Sequence, residues 1–220
     1  MARTVGGLDP QQRREQRREL LLDAALELFA TRGYLESPIE LLCQTAKVST
    51  KSFYEVFDSR EACYLGLMQR STDHLKSAVT ATYAALPTGC DEYVVASAVL
   101  GSLADTVAGD PRHAVILFGK GSATTPAVEQ TRRANRRWAA DFVSTIWGLL
   151  LGDAVDVPHG VVVGTVGGLF DLMADWVADA QDGQPADANL LRQRFAQFYA
   201  VIRAGLDPSS CGKEVLSKLV

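Results

Sequence analysis

The segment "VSTKSFYEVFDSREA", residues 48–62, predicts a very short helix placed between two longer ones. Ser49 stands where a helix N-cap is expected, and Ser59 repeats the arrangement at the start of the next helix. Between them, Phe53 and Phe57 are one helical turn apart, so that both fall on one side of a helix. A helix this short is not stable alone. We therefore expect neighbouring helices to hold it and its exposed side to have a function.

Two further helices are predicted before this segment. Apolar residues recur with a helical period over residues 11–32, and Gly33 is a suitable C-terminal stop. Ser37 is expected to cap a second helix that runs to about Thr45. A tight turn then leads to the third helix, which is expected over residues 49–57. Two helices joined by such a short turn form a helix-turn-helix.

The side of the third helix opposite Phe53 carries polar residues that are suited to contacting DNA. A recognition helix presents its N-terminal residues to base edges in the major groove. We expect Lys51 to contact a guanine edge or a phosphate, Glu55 to accept from a cytosine amino group, and Tyr54 to bind a phosphate. The alternative is that Lys51 and Glu55 only pair with each other on a solvated face. The whole outward set is Thr50, Lys51, Ser52, Tyr54 and Glu55.

A basic segment precedes these helices. Residues 1–18 contain five arginines and two acidic residues, whereas the whole chain carries a formal net charge of −4. We expect an arm that reaches an adjacent minor groove with Arg13, Arg14 and Arg17. A frayed, solvated tail is the alternative.

Helix starts near the expected DNA face offer further phosphate contacts. Ser37 and Ser49 are expected first as caps, and a capped helix end that meets DNA also points free backbone N–H groups at phosphate. Arg60 lies in the first turn of the fourth helix, where its charge opposes the helix dipole. A neighbouring phosphate would remove this penalty, so Arg60 is a further candidate for contact with DNA.

Three groups of residues form a known combination: "DAALELFATRGY" in the first helix, Ala46, Val48 and Ser49 at the turn, and Phe53, Tyr54 and Phe57 in the third helix. With them, residues 21–68 resemble the N-terminal DNA-binding domain of the TetR family of bacterial repressors. The chain differs at the turn, where the family commonly has Gly and this chain has Lys47.

This resemblance implies a sequence-specific transcriptional regulator, more often a repressor than an activator, which a small molecule releases from its operator. It implies an all-α fold with an N-terminal three-helix helix-turn-helix domain and a larger helical ligand-binding and dimerisation domain. We expect the boundaries to be 1–18 for the basic arm, 19–60 for the DNA-binding domain, 61–206 for the second domain and 207–220 for a tail.

The rest of the chain also has a helical pattern, without a convincing alternating strand. A fourth helix begins behind Ser59 and runs towards Pro87, where a loop follows. The later helices are predicted over residues 91–108, 111–118, 124–151, 159–181 and 187–205.

The last two predicted helices carry more apolar surface than one face of a bundle needs. Glycines thin one side of the helix over residues 159–181, which allows another helix to approach closely. The resemblance implies that these two helices form a four-helix bundle with the same helices of a second copy. The residues expected at this interface are Gly164, Gly168, Trp176, Phe195, Phe198 and Ile202.

One broad side of the helix over residues 124–151 is aromatic and is a candidate lining for a ligand pocket. As a group its aromatic residues are suited to an apolar or aromatic effector, whereas core packing is the alternative for each one singly. Arginines at positions 132, 133, 136 and 137 raise the question of an anionic ligand, but their i,i+4 pairing favours a solvated face. The candidate lining is Phe118, Trp138, Phe142, Trp147, Phe170 and Met173.

Composition narrows the class of protein. Apolar residues make up 47% and charged residues 22% of the 220 residues, which is typical of globular proteins. The N-terminus has no apolar signal segment, no apolar run reaches the roughly 20 residues of a membrane helix, and the cysteines show no disulfide spacing. We therefore expect a cytoplasmic protein without a membrane partner.

Signals for an enzyme are weak. The histidines are scattered without metal-ligand spacing, and no complete phosphate-binding loop is present. We expect no catalytic activity, no metal and no cofactor. A helical protein-interaction module would leave the recognition helix unexplained. The expected partners are a palindromic double-stranded DNA operator, a small-molecule effector and a second copy of the chain.

Overall fold

The computed structural model describes residues 9–119, 125–151, 157–184 and 187–206. Within these ranges every regular element is an α-helix, which confirms the all-α prediction. The predicted tail, residues 207–220, lies outside the described residues. The helices are α1 (Pro10–Thr31), α2 (Ile39–Ala46), α3 (Thr50–Tyr54), α4 (Arg60–Ala85), α5 (Glu92–Gly109), α6 (Pro111–Phe118), α7 (Pro126–Leu151), α8 (His159–Gln181) and α9 (Ala188–Gly205).

The chain divides into two compact units. The first contains the described residues up to Thr72 and those from Arg112 to Glu129, and the second contains the others. The sequence suggested a boundary at residue 60. The first unit extends further because the first half of α4 and most of α6 pack within it. The buried Tyr64 of α4, for example, donates its hydroxyl to the carbonyl of Ile116 at 3.0 Å.

In the first unit, α1 begins before its apolar period does. Asp9 is the N-cap: its carboxylate accepts from the backbone N–H of Gln12 at 2.8 Å, and the Gln12 side chain accepts from the Asp9 N–H at 2.9 Å. Pro10 occupies the first helical position, where its missing N–H has no cost. Residues 10–18 are therefore the first part of a continuous 22-residue helix rather than a separate arm.

The start of α2 differs from the prediction. Ser37 is buried, and the N-cap position is taken by Pro38 without a side-chain hydrogen bond. The Ser37 hydroxyl donates instead to the carbonyl of Gly33 at 2.8 Å. The prediction that Ser37 caps α2 is wrong, because this hydroxyl closes the α1–α2 loop onto the end of α1. Its side chain faces the interior of the first unit, so its predicted contact with DNA is withdrawn.

The turn between α2 and α3 contains a left-handed residue. Lys47 has φ of 55° and ψ of 40°. The next residue, Val48, donates its backbone N–H to the carbonyl of Cys43 at 3.0 Å, which closes the end of α2. Residues with a side chain rarely adopt this conformation, and glycine adopts it without steric cost.

In the second unit, α5 and α9 lie antiparallel and are tied near both ends. The Glu92 carboxylate accepts from Nε of Arg203 at 2.7 and 2.9 Å and from the Tyr199 hydroxyl at 2.6 Å. Towards the other end of α5, Asp105 pairs with Arg192. Burial raises the pKa of Tyr199, and the hydrogen bond to Glu92 raises it further. Tyr199 is therefore held in its protonated, donating form.

The second unit also contains a core in which α8 packs against α7 and α9. Trp147 of α7 lies against Val162 and Val166 of α8, and Ile202 of α9 packs onto this cluster. Of the described helices, α8 is long and apolar enough to cross a membrane by length and composition alone. A core helix of a soluble protein passes the same test, and α8 buries Trp176 and its neighbours within the unit.

Candidate functional site

The expected recognition helix, α3, is five residues long. Ser49 is its N-cap, as predicted, and its hydroxyl oxygen accepts from the backbone N–H of Ser52 at 3.1 Å. Phe53 and Phe57 are buried and anchor the segment within the first unit. The helix ends at Tyr54 rather than at Phe57, because a turn follows in which the Val56 and Phe57 N–H groups both donate to the Phe53 carbonyl.

The structure brings the predicted DNA-contacting residues of α3 together on its exposed side. Thr50, Lys51, Tyr54 and Glu55 are exposed, and the Tyr54 side chain is 54% accessible. Ser52 is half-buried, and its hydroxyl is hydrogen-bonded to that of Ser49 at 2.9 Å. The exposed side therefore presents one cation, Lys51, and one phenol, Tyr54, whereas the Thr50 side chain is hydrogen-bonded to Cys43.

Glu55 is engaged with the arginines of α1. Its carboxylate pairs with Arg17 at 3.2 Å, and its backbone carbonyl accepts from Nε of Arg14 at 2.8 Å. These contacts take the place of the Lys51–Glu55 pair that the sequence left open. The sequence could not predict them, because the helical period relates residues a turn apart, whereas Arg14 and Glu55 are 41 positions apart. Arg13 is half-buried on the same helix.

Arg60, expected at a phosphate, lies instead over the loop between α1 and α2. Its guanidinium is 4.3 Å from the centre of the Tyr34 ring, and it donates to the carbonyls of Leu35 at 3.3 Å and Ser37 at 3.4 Å. Ser59 caps α4 as predicted, accepting from the Ala62 N–H at 3.0 Å. The contacts of Arg60 with the loop explain its position without a phosphate.

The candidate ligand-binding residues lie in different places. Trp138 stacks on Phe142 at 5.3 Å, with the Lys76 ammonium 4.6 Å from the Trp138 ring, and both rings are half-buried. Trp147 lies in the α7–α8 core, Phe170 packs against the same cluster, and Met173 is fully buried. Phe118 belongs to the first unit. The structure therefore supports the alternative of core packing for Trp147 and Met173.

A cleft of about 430 Å³ lies between α5 and α9, and the sequence analysis did not find it. Small residues one turn apart on each helix, such as Ser97 with Gly101 and Ala196 with Ala200, were the available signal. The cleft is lined by Tyr93, Ala96, Ser97, Leu100, Gly101, Arg192, Gln193, Ala196, Tyr199 and Ala200.

Most of the residues expected at a dimer interface pack within the chain. Trp176 and Phe195 are buried, and Phe198 lies directly over Gly168. Ile202 packs onto the core between α7 and α8. Trp176 and Phe195 are therefore withdrawn from the expected interface, because the single chain already buries them, whereas the half-buried Phe198 and Ile202 stay a prediction. Gly164, in contrast, is exposed, and an added β-carbon would meet nothing within 4 Å.

The outward surface of α8 and α9 is nevertheless apolar in part. Val163 on α8 is 46% exposed, and Leu190 and Val201 on α9 are 39% and 72% exposed. These residues, with Gly164, define what we call the α8–α9 surface.

Among the described residues no group of three or more histidine, cysteine or acidic side chains is placed to hold a metal ion.

Comparison with known proteins finds a family match within the first unit. Residues 21–67 match the sequence model described as bacterial regulatory proteins, tetR family. These residues run from the buried face of α1 through the turn, α3 and the first part of α4. The first unit thus contains a segment similar to the DNA-binding domain of the tetR family. Helix α3 lies within the matched residues, and the comparisons support a DNA-binding transcriptional regulator.

Similarity to known proteins extends beyond the residues that the family model matches. The HTH-type transcriptional activator FasR of Mycolicibacterium smegmatis is 26% identical over 185 residues, which cover 84% of this chain and 82% of FasR. A TetR-like transcriptional regulator from Rhodococcus sp. RHA1 has a similar structure, with a TM-score of 0.64 and 16% identity, covering 88% of this chain and 98% of that one.

A third relative was solved with a ligand. FadR from Bacillus subtilis, in complex with stearoyl-CoA, superposes with a TM-score of 0.67 at 15% identity, covering 82% of this chain and 98% of FadR. At such identities the structural likeness shows that this chain shares the fold of these two regulators.

Proposed function

We propose that this chain represses transcription as a homodimer that binds a two-fold symmetric DNA operator through α3. The observation that supports this most is the exposed side of α3, where Thr50, Lys51 and Tyr54 lie outward on a helix anchored by the buried Phe53. In the major groove, Lys51 donates to the acceptor edge of a guanine, and Tyr54 donates its hydroxyl to a phosphate.

The first test is binding to the DNA upstream of the chain's own coding sequence. A gel shift is measured at several salt concentrations, since contacts with phosphates make the affinity fall as salt rises. We expect a discrete complex that survives competition by unrelated DNA. A chain that binds both DNAs equally at every salt concentration contradicts the proposal.

The roles of Lys51 and Tyr54 are separated by binding-site selection from random-sequence DNA. Lys51→Ala is expected to relax the preference at one base pair in each half-site, by about 1–3 kcal/mol. Tyr54→Phe removes one hydrogen bond to the backbone and is expected to weaken all sites about equally. The relaxed positions must be symmetric about the centre of the operator, because the dimer has two-fold symmetry. A uniform loss for Lys51→Ala would make Lys51 a phosphate contact.

Activation is the second candidate, since the relative FasR is named a transcriptional activator. A reporter gene with the selected site upstream of its promoter is compared with and without the protein. Repression predicts a lower signal, and activation predicts a higher one. The same reporter without the site is the control.

We propose that an effector with a long apolar chain binds the second unit and lowers operator affinity. FadR, similar in fold, is named in complex with stearoyl-CoA, and the half-buried Trp138 and Phe142 offer an aromatic surface on α7. Such a ligand must bind the DNA-incompetent arrangement more tightly. The coupling expected in regulators is about 1–3 kcal/mol, or roughly 5- to 150-fold in affinity.

The test titrates stearoyl-CoA into the protein–DNA complex, with free CoA as the matched control. We expect release of DNA by the acylated compound alone, and a change in tryptophan fluorescence that is smaller in Trp138→Phe. Unchanged operator affinity and fluorescence would contradict an acyl effector. We place this activity in the bacterial cytoplasm, where the DNA is.

A further inference from the structure

Three arginines on one side of α1 contact the segment that directly follows the recognition helix. Arg14, Arg17 and Arg18 are spaced as i, i+3 and i+4, so that they share a helix face. Arg14 and Arg17 bind the carbonyl and the carboxylate of Glu55, and the Arg18 guanidinium lies 5.8 Å from the centre of the Phe57 ring. We name this set the arginine face.

These contacts complete a helix that is too short to hold itself. With five residues, α3 cannot satisfy its own terminal carbonyl groups, and isolated helices of this length do not persist in water. The Arg14 guanidinium donates to a carbonyl at this end. Positive charge at the carboxyl end of a helix is also favoured by the helix dipole. The arginine face therefore supplies a C-terminal cap from another part of the chain.

We propose that the arginine face positions the recognition helix, and that Arg14 and Arg17 act through Glu55 rather than by contact with DNA. This inference rests on the proposal that α3 contacts DNA bases. It also changes the role of Glu55, whose carboxylate is used by Arg17 and is not the acceptor for a cytosine amino group. Base recognition is then left to the exposed residues nearer the start of α3.

The consequence for DNA binding is a change of position rather than the loss of one contact. Side chains that contact base edges must be held within about 0.5 Å of their productive positions. Releasing the end of α3 displaces Lys51 and Tyr54 together. The expected loss of sequence preference is therefore spread over the half-site, whereas the loss of a single base contact relaxes the preference at one base pair.

The first experiment measures hydrogen exchange of the full-length protein without DNA. Arg17→Gln, Glu55→Gln and the double variant are compared over a peptide that covers residues 48–58. Each single change is expected to speed exchange of this peptide, and the double variant to add little, because both remove the same pair. Arg32→Gln removes an exposed arginine at the other end of α1 and is the matched control. Unchanged exchange in both single variants overturns the proposal.

The second experiment measures affinity and sequence preference for a duplex that the wild-type protein selects from random-sequence DNA. Glu55→Gln keeps all three arginines, so it also serves if Arg17→Gln does not fold. Positioning predicts that Glu55→Gln weakens binding by about two- to five-fold per half-site, the range for an exposed pair. It also predicts that preference relaxes at several base pairs and that the salt dependence stays unchanged.

Direct contact of Arg17 or Glu55 with DNA predicts different results. If Arg17 contacts phosphate, Arg17→Gln lowers the slope of log affinity against log salt by about 0.9 per lost contact, and Glu55→Gln strengthens binding. If Glu55 accepts from a cytosine, preference relaxes at one base pair only. Either result overturns the proposal. If exchange is faster in these variants but the wild-type protein selects no DNA, the role of α3 in base contact is rejected. The role of the arginine face in holding α3 then stands.

Discussion

The ring of Phe198 on α9 lies directly over Gly168 on α8. A β-carbon added to Gly168 would come within 2.9 Å of Cε2 of this ring and closer still to Cζ. The ring of Phe198 therefore occupies the space that a side chain at position 168 would need. We expect Gly168→Ala to lower the free energy of unfolding by about 1–3 kcal/mol, because overpacking moves the ring or the helix.

Urea unfolding of the full chain checks this, with Gly148→Ala as the control. Gly148 lies within α7, and an added β-carbon there would meet nothing within 4 Å. The free energy of unfolding of Gly148→Ala is expected to rise by up to about 1 kcal/mol, since alanine is the better helix former. Equal effects of the two substitutions would contradict the packing argument.

Gly164 tests the α8–α9 surface in the proposed dimer. Leucine fits here in the single chain, since nothing lies within 4 Å of an added β-carbon. Gly164→Leu is therefore expected to keep the helical content and to weaken self-association by about tenfold or more, because it separates two closely packed surfaces. Sedimentation velocity at micromolar concentration measures this. Gly148→Leu is the control, and a wild-type monomer would reject the dimer itself.

The left-handed turn predicts a stabilising substitution. Lys47 has φ of 55°, which costs a residue with a side chain roughly 1 kcal/mol. Lys47→Gly is expected to raise the free energy of unfolding by about 0.5–1 kcal/mol in urea. Lys47→Ala also removes the charge but keeps the steric cost, so it should bring no gain. A destabilised Lys47→Gly would show that the lysine side chain contributes more than the turn costs.

Cys63 predicts how stability depends on alkaline pH. Burial raises the pKa of this thiol to about 12. Because the folded state holds the proton more tightly, the stabilisation is complete below the unfolded pKa of about 9 and is lost as pH rises towards 12. Each pH unit in this window costs up to about 1.4 kcal/mol. The free energy of unfolding of Cys63→Ala is expected to be lower than that of the wild type, and this difference should therefore shrink between pH 8 and 10.5.

Urea unfolding at each pH measures that difference, and Cys90→Ala is the control. Cys90 is a partly buried free cysteine, so Cys90→Ala controls for the loss of a thiol elsewhere in the chain. A constant deficit for Cys63→Ala would show that the thiol ionises equally in both states.

The helices were predictable because their signals are local. The predicted bounds of α8 and α6 agree with the structure, since apolar periodicity and flanking loop residues act within a few positions. Ser49 was recognised as a cap for the same reason. Ser37 was misassigned because a serine before Pro38 has the same local pattern whether its hydroxyl caps α2 or closes the loop onto Gly33.

Contacts between distant segments were not predictable from one sequence. The arginines of α1 were visible as a charge cluster, but periodicity cannot show that Arg14 and Arg17 reach Glu55. The aromatic residues of α7 were likewise found as a group. Only the packing of α7 against α8 separates Trp147, which lies in the core, from the partly exposed Trp138.

The ties at both ends of α5 and α9 have a mechanical consequence. A slip by one helical turn is about 5.4 Å. It would break the bonds of 2.7 and 2.9 Å between Arg203 and Glu92 and the Asp105–Arg192 pair at the same time. We therefore expect the two helices to move together. A displacement that begins at α5 is then expected to be carried to the outward side of α9, where Val201 is exposed in the α8–α9 surface.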